Sequence, residues 1–337
     1  MNVLYHLPIL PPKMPEAEAL SQEIAALRTA FNGEIVYLNP NETSPVYLPR
    51  LAFGWHKLRR VRQIEAEYDL HHFFNPDPFP YPVLLRLRKP VVYSLSSGVG
   101  EKRPYLPYFS RLAAVTVYDE RSYGKLRDWG LTNVHLVQSG IDVAKFTHTA
   151  VPLTDEIRLL SASAPWTKAQ FASKGVAALL EAAQQMPRLQ IIFLWRGMLY
   201  EEMMARVAQA GVADRVQVIN ERVDVNGILA KVHGTINLAS NGALIKAYPH
   251  SLLDSLAAGK PVLVSKVIAM SDYVKRVGCG VVVDEVSAEG VVTAVNGFAE
   301  RYETLVATAV RVGRDFSQEK MITSFRQVYD FVLRNEP

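Results

Sequence analysis

Short apolar runs alternate with segments whose apolar residues recur at helical spacing, and this rhythm persists along the whole chain. Residues 2–7 (NVLYHL) read as a strand. After a proline-rich loop, Leu20, Ile24, Leu27 and Phe31 fall on one helical face, and residues 34–38 read as the next strand. Strand-like runs at 69–74, 90–95, 113–117 and 133–137 continue the series, with helical spacing over 118–129 between the last two. Alternation of this kind predicts parallel βα units in a doubly wound layer structure.

A second series begins after the polar stretch 148–156. Strands are expected at 157–161, 189–194, 216–219, 235–238, 261–264 and 280–283, with helices at 175–185 and 201–210 among those between them. The chain ends in a helix that puts Met321, Phe325, Val328, Tyr329 and Val332 on one face. The pattern predicts an α/β protein of two halves with a cleft between them. It contains no internal repeat and no low-complexity tract.

The length of 337 residues agrees with two halves, since an ordinary domain takes roughly 150. Apolar residues make up 49% and charged ones 21%, a globular balance. Lys and Arg number 37 against 33 Asp and Glu, and this small excess argues against nucleic acid as the partner. Cys279 is the only cysteine, which excludes an internal disulfide and fits a reducing compartment. No apolar run reaches the ~18 residues of a membrane span. The opening MNVLYHLPILPP has no basic leader, and prolines interrupt its apolar stretch. A cytoplasmic protein without a signal peptide is expected.

Several motifs fail on spacing. Gly98 and Gly100 follow a strand, but the third glycine of a dinucleotide fingerprint would fall at Arg103. Gly259-Lys260 is followed by Pro261 rather than Ser or Thr, so it is not a P-loop. There is no HExxH, no GxSxG and no Asp-x-Asp pair. His71 and His72 sit in a strand-like run beside Phe73 and Phe74, which fits core histidines better than metal ligands. An anion site without a metal is the expectation.

The segment YPHSLLDSLAAGKPVLVS, residues 248–265, offers such a site. Ser251 and Asp254 have the spacing of a capping box for a helix over 252–258, and capping alone is a sufficient role for Asp254. The same geometry suits a ligand. Amides around residues 250–253 would face an anion with the helix dipole behind them, and Asp254 would take the hydroxyls of a neighbouring ribose. Pro249 would set the entry to the turn. Lys168 and Lys174-Gly175 supply cations after the first strand of the second half. Both elements follow carboxyl ends of strands, where open α/β sheets bind ligands.

These stretches resemble the retaining glycosyltransferases of family four, a nucleotide-sugar-dependent group with the GT-B fold. VQSGIDVAKF (137–146) resembles the family's domain hinge, and SKGVAALLEAAQQMP (173–187) its lysine–glycine element. YPHSLLDSLAAGKPVLVS resembles its F-P-N-x-L-L-E-A-M-A-x-G-x-P-V-I-A-S segment. RDFSQEKMITSFRQVYDFVL (314–333) resembles its tail. The resemblance implies two Rossmann-like domains facing a cleft, with a C-terminal helix crossing back to the first domain. Expected bounds are 1–147 for the acceptor side, 148–315 for the nucleotide-sugar side and 316–337 for the helix.

By the same resemblance, Asp254 stands where the second signature acid meets ribose. Tyr248, Pro249, His250, Ser251 and Leu252 stand where the donor diphosphate is met, and Lys174 at the phosphate-binding lysine. Lys168 substitutes for that lysine's arginine partner. Arg222 and Val223 fall where the family's main chain reads the base. Lys246 stands in place of the first acid beside the donor sugar, and Ser96 in place of the first domain's histidine, so these two mark the catalytic positions. Pro11-Pro12-Lys13 replaces the family's glycine pair.

The activity implied is sugar transfer with retention from a nucleoside diphosphate sugar, UDP favoured, with no cofactor or metal. The acceptor would be a carbohydrate or lipid. A non-catalytic nucleotide-sugar or glycan-binding partner subunit is the alternative suggested by the altered signature residues. Basic stretches at 56–62 and 86–89 add an expectation of peripheral contact with the inner membrane face.

Overall fold

The computed structural model describes residues 1–12, 18–41, 44, 46–195 and 199–335, so Lys13 of the substituted glycine pair lies outside the described residues. The chain divides into two compact units, Met1–Ile141 with Ser317–Pro337, and Asp142–Phe316.

The first unit carries strands β1 (Val3–Leu7), β2 (Gly33–Tyr37), β3 (Leu70–Asn75), β4 (Val91–Leu95), β5 (Ala114–Val117) and β6 (Val134–Leu136). Its helices are α1 (Ala19–Phe31), α2 (Leu58–Ile64), α3 (Leu106–Phe109) and α4 (Glu120–Asp128). The second unit carries β7 (Ile157–Ser161), β8 (Leu189–Leu194), β9 (Val216–Ile219), β10 (Gly234–Asn237), β11 (Val262–Ser265) and β12 (Gly280–Val283). Around them lie α5 (Gln170–Ser173), α6 (Val176–Gln185), α7 (Tyr200–Gln209) and α8 (Val225–Leu229). They are followed by α9 (His250–Ala257), α10 (Met270–Val277), α11 (Ala288–Glu300) and α12 (Tyr302–Val312), and α13 (Gln318–Arg334) belongs to the first unit. Every strand expected from the sequence is present, with ends within one residue.

Both sheets are parallel throughout, in the orders β2-β1-β3-β4-β5-β6 and β12-β11-β10-β7-β8-β9. The second is the 3-2-1-4-5-6 order of a dinucleotide-binding fold, and each unit has the Rossmann-like layering of a GT-B protein. Strands covered on both faces read as continuous apolar runs, as β1 (VLYHL) and β11 (VLVS) do, buried at every position.

The two histidines buried in β3 are paired at both ring nitrogens. His71 bonds Glu65 at 2.9 Å and His6 at 2.9 Å, and His72 bonds Ser94 at 2.7 Å and Tyr329 at 2.5 Å. His71 and His72 are therefore core residues, and no group of three potential metal ligands occurs among the described residues. Helix α13 buries Met321, Phe325, Val328, Tyr329 and Val332, each contributing about 1.5–3 kcal/mol of apolar burial. Its entry is fixed where Gln318 N donates to Ile141 O at 2.9 Å. Gly140 is required there, since a Cβ would come within 2.6 Å of Ser317 O. No helix among the described residues is long and apolar enough to cross a membrane.

Candidate functional site

In the second sheet the strand order reverses between β7 and β10, so their carboxyl ends form a switch point, the place where such folds take ligands. Two chain segments meet there. Gly175 has a left-handed φ of +71°, and a Cβ on it would lie 2.5 Å from Leu238 Cβ, just past the end of β10. Ser240 N donates to Ser173 O at 2.8 Å beside it. A residue with a side chain fits neither the backbone angle nor the space, which is the physical reason for a glycine after Lys174. Helix α6 thus starts against the loop that leads to α9.

Lys174 reaches across the loop after β7, its Nζ donating to Ala164 O at 2.9 Å. At the other side, Asn237 at the end of β10 donates from Nδ2 to Ser251 Oγ at 3.2 Å. Two helix N-termini, those of α6 and α9, therefore stand at one switch point with a lysine between the loops. Their dipoles favour negative charge.

The start of α9 corrects the sequence reading. The helix begins at His250 rather than Leu252, with Pro249 as its N-cap and no side-chain cap bond. Pro249, at φ −63° and ψ 129°, is already in the extended geometry that precedes a first helical residue. Asp254 consequently lies a full turn inside the helix, Ser251 pairs with Asn237, and no capping box forms. Leu252 and Leu253 amides already donate to Pro249 O at 3.0 and 3.2 Å, so these two amides are committed within the helix.

Released from capping, Asp254 is a partly buried carboxyl with no hydrogen-bond partner among the described residues. Burial pushes its pKa up to about 7, while the charge of Lys145 pulls the other way. Such a group is costly to keep and suited to receive hydroxyl donors from a ligand.

The remaining expected residues are distributed as follows. Lys246 is partly buried, eight positions before Asp254, and His250 is buried. Tyr248 stacks at 5.3 Å on Phe316, which in turn packs on Tyr273 at 4.8 Å, so its ring serves an aromatic cluster. Arg222 is exposed and Val223 half-buried after β9, at the carboxyl side of the edge strand. Lys168 is exposed and held in an ion pair with Glu202 at 2.9 Å; Arg206 pairs with the same glutamate. Trp166 is exposed. Ser96, in the first unit, is buried after β4 with its amide on Asn75 O at 3.0 Å.

Two participants escape sequence reasoning. Asn237 is a lone amide at the end of an apolar strand, and that contrast was its only signal. Lys260 is almost fully buried, its Nζ donating to Thr149 O at 2.5 Å, and burial pulls its pKa down to about 8. With His148 against Ala258 O at 3.2 Å, it fastens residues 148–149 to the turn after α9.

Residues 167–309 match the family model described as "Glycosyl transferases group 1". No curated protein matches the chain significantly by sequence. Among solved structures, HepE of Anabaena in complex with UDP is similar with a TM-score of 0.72 at 14% identity, covering 98% of this chain and 100% of that one. A glycosyltransferase from Rickettsia africae gives 0.74 at 12% identity, covering 99% of each chain. Sucrose-phosphate synthase from Thermosynechococcus elongatus gives 0.72 at 13%, covering 100% of each. At such identities these likenesses establish the GT-B fold.

Proposed function

We propose that this chain, a GT-B protein whose second unit carries the glycosyl transferases group 1 domain, moves a hexosyl group from a nucleoside diphosphate sugar to a carbohydrate or lipid acceptor, with retention and without a metal. UDP is the favoured nucleotide, and the structures of HepE with UDP and with UDP-glucose support that choice. The observation that carries the reading is the meeting of Lys174-Gly175 with the loop from β10 to α9 at one switch point.

The chemistry follows from charge. Departure of a nucleoside diphosphate leaves negative charge on phosphate oxygens, and the α9 N-terminus with Lys174 would stabilise it as it develops. Donors already fixed by the fold need no reorganisation at that moment. Asp254 would accept from the ribose hydroxyls, and the segment after β9, at Arg222 and Val223, would meet the base. The acceptor hydroxyl would attack from the face that the diphosphate leaves, its proton passing to the departing phosphate oxygen. Lys246 would hold a negative group of the donor, on its sugar or its phosphates. Undiminished transfer from neutral donors by Lys246→Ala would remove that role.

A cytoplasmic location with peripheral contact at the inner membrane face accompanies this reading. Exposed Tyr47, Leu51 and Trp55 precede the exposed bases Arg59, Arg60 and Arg62, a pairing suited to an anionic bilayer surface.

The test is release of UDP from UDP-glucose, UDP-galactose and UDP-N-acetylglucosamine by the purified chain, with and without chelator. Release that persists in chelator and falls at least a hundredfold in Lys174→Ala supports the proposal. Absence of release from each donor, alone and with a panel of simple glycosides, would overturn it.

A further inference from the structure

The carboxyl end of β3 holds a second built surface. In the first sheet the order reverses between β1 and β3, so the chain leaving Asn75 stands at that unit's own switch point. The loop that follows is braced from several sides. Tyr93 Oη donates to Phe79 O at 2.7 Å, and Tyr108 Oη donates to Tyr81 O at 2.8 Å. Asn75 Nδ2 donates to Asp77 Oδ1 at 2.8 Å. Ser96 and Ser97 amides donate to Asn75 O and Pro76 O at 3.0 and 3.2 Å. Connecting loops are ordinarily variable and mobile, and a frame this complete is the kind that holds a ligand-facing group in place.

Arg50 enters this frame from the connection after β2. Its Nη2 and Nη1 donate to the two oxygens of Asp77 at 2.6 and 3.0 Å, and its Nε donates to Tyr81 Oη at 3.0 Å. The guanidinium lies 4.1 Å over the Phe79 ring. Burial works against both charges, but the bonds between them prevail, so Arg50 is held protonated and Asp77 ionised. Even so the side chains stay 36% and 45% exposed. An ion pair at such exposure contributes about 0–1 kcal/mol, too little to explain the frame as a stability device.

What the pair presents to solvent is specific. Its charges cancel, so it does not recruit an anion. Asp77 Oδ2 accepts from Arg50 Nη1 at 3.0 Å, and a carboxylate oxygen has a second lone pair, next to a guanidinium whose Nη1 has a second hydrogen. A fixed donor beside a fixed acceptor, with an aromatic ring behind them, matches adjacent hydroxyls of a sugar, each of which both donates and accepts. We propose that Asp77 and Arg50 bind a neutral carbohydrate at this end of the first sheet and thereby select the acceptor, an assignment that rests on the transferase reading above.

The test is saturation-transfer NMR of the full chain with methyl α-glucopyranoside, methyl α-galactopyranoside and methyl α-mannopyranoside, with glycerol 3-phosphate as the anionic competitor. At least one glycoside is expected to bind, to weaken at least tenfold in Asp77→Ala and in the shape-preserving Asp77→Asn, and to resist displacement by glycerol 3-phosphate. No binding by any glycoside, unchanged binding in both variants, or tighter binding of glycerol 3-phosphate dependent on Arg50 would overturn it. UDP-induced thermal stabilisation of the same samples reports folding and the donor site separately. UDP response without glycoside binding refutes this surface alone, and glycoside binding without UDP response refutes the transferase reading, and with it the acceptor role, while the carbohydrate site stands.

Discussion

His72 in β3 and Tyr329 in α13 share a hydrogen bond of 2.5 Å, Nδ1 to hydroxyl, across 257 residues of sequence. The other imidazole nitrogen is committed to Ser94 Oγ at 2.7 Å, so the ring is held at both ends inside the core. That bond fastens the terminal helix to the first sheet. Tyr329→Phe leaves one buried nitrogen without its partner at little cost in packing. A loss of about 1–3 kcal/mol is expected in urea denaturation of the variant; no change would show that packing alone holds α13.

Gly175 fixes how α6 starts against the loop after β10. In Gly175→Ala the methyl group meets Leu238 Cβ and the backbone must keep a left-handed angle. The two effects together predict a loss of ~2–5 kcal/mol by denaturant titration. UDP binding should weaken as well, because the start of α6 can no longer lie against the β10 loop. A fully stable alanine variant would mean that the close approach is relaxed in solution.

Asp254 gives a pH signature. Its folded pKa, about 7, is above the ordinary carboxylate value, so between about pH 4 and 7 the folded state binds more protons than the unfolded one. Stability contributed at this position therefore falls as pH rises through that window and stays low above it. Asp254→Asn should match the parent at pH 4 and exceed it at pH 8, by up to about 4 kcal/mol. Equal stability of the two proteins at pH 8 would count against a desolvated carboxyl.

The same carboxyl predicts proton release on nucleotide binding. Ribose hydroxyls donating to Asp254, as proposed, would favour its charged form, so UDP should tighten as pH rises from 5 to 7 and then level off. Calorimetry at pH 6 in two buffers of different ionisation enthalpy measures the protons directly. Proton uptake, or none exchanged, would place the ribose elsewhere.

The strands were legible because a parallel sheet covered on both faces needs continuous apolar runs, and such runs stand out between helical stretches. The lysine–glycine pair was legible too, since the backbone and the space at Gly175 admit nothing larger. The helix start at His250 was misjudged because Ser251 and Asp254 match a capping pattern, whereas the fixed geometry of Pro249 decides where the helix begins. Arg50 and Asp77 are 27 residues apart and meet only through tertiary structure, so no local period announces them. Lys260 enters the sequence reading only as part of a failed P-loop pattern, because its burial partner is a carbonyl 111 residues earlier.

Thermal unfolding with UDP, GDP and ADP, in the parent chain and in a Lys174→Ala/Asp254→Ala double variant, reaches the central claim most directly. The account predicts stabilisation by UDP approaching ~2.7 kcal/mol at a hundred times its dissociation constant, and its loss in the double variant. No response to any of the three nucleotides, or an undiminished response in the double variant, would contradict it.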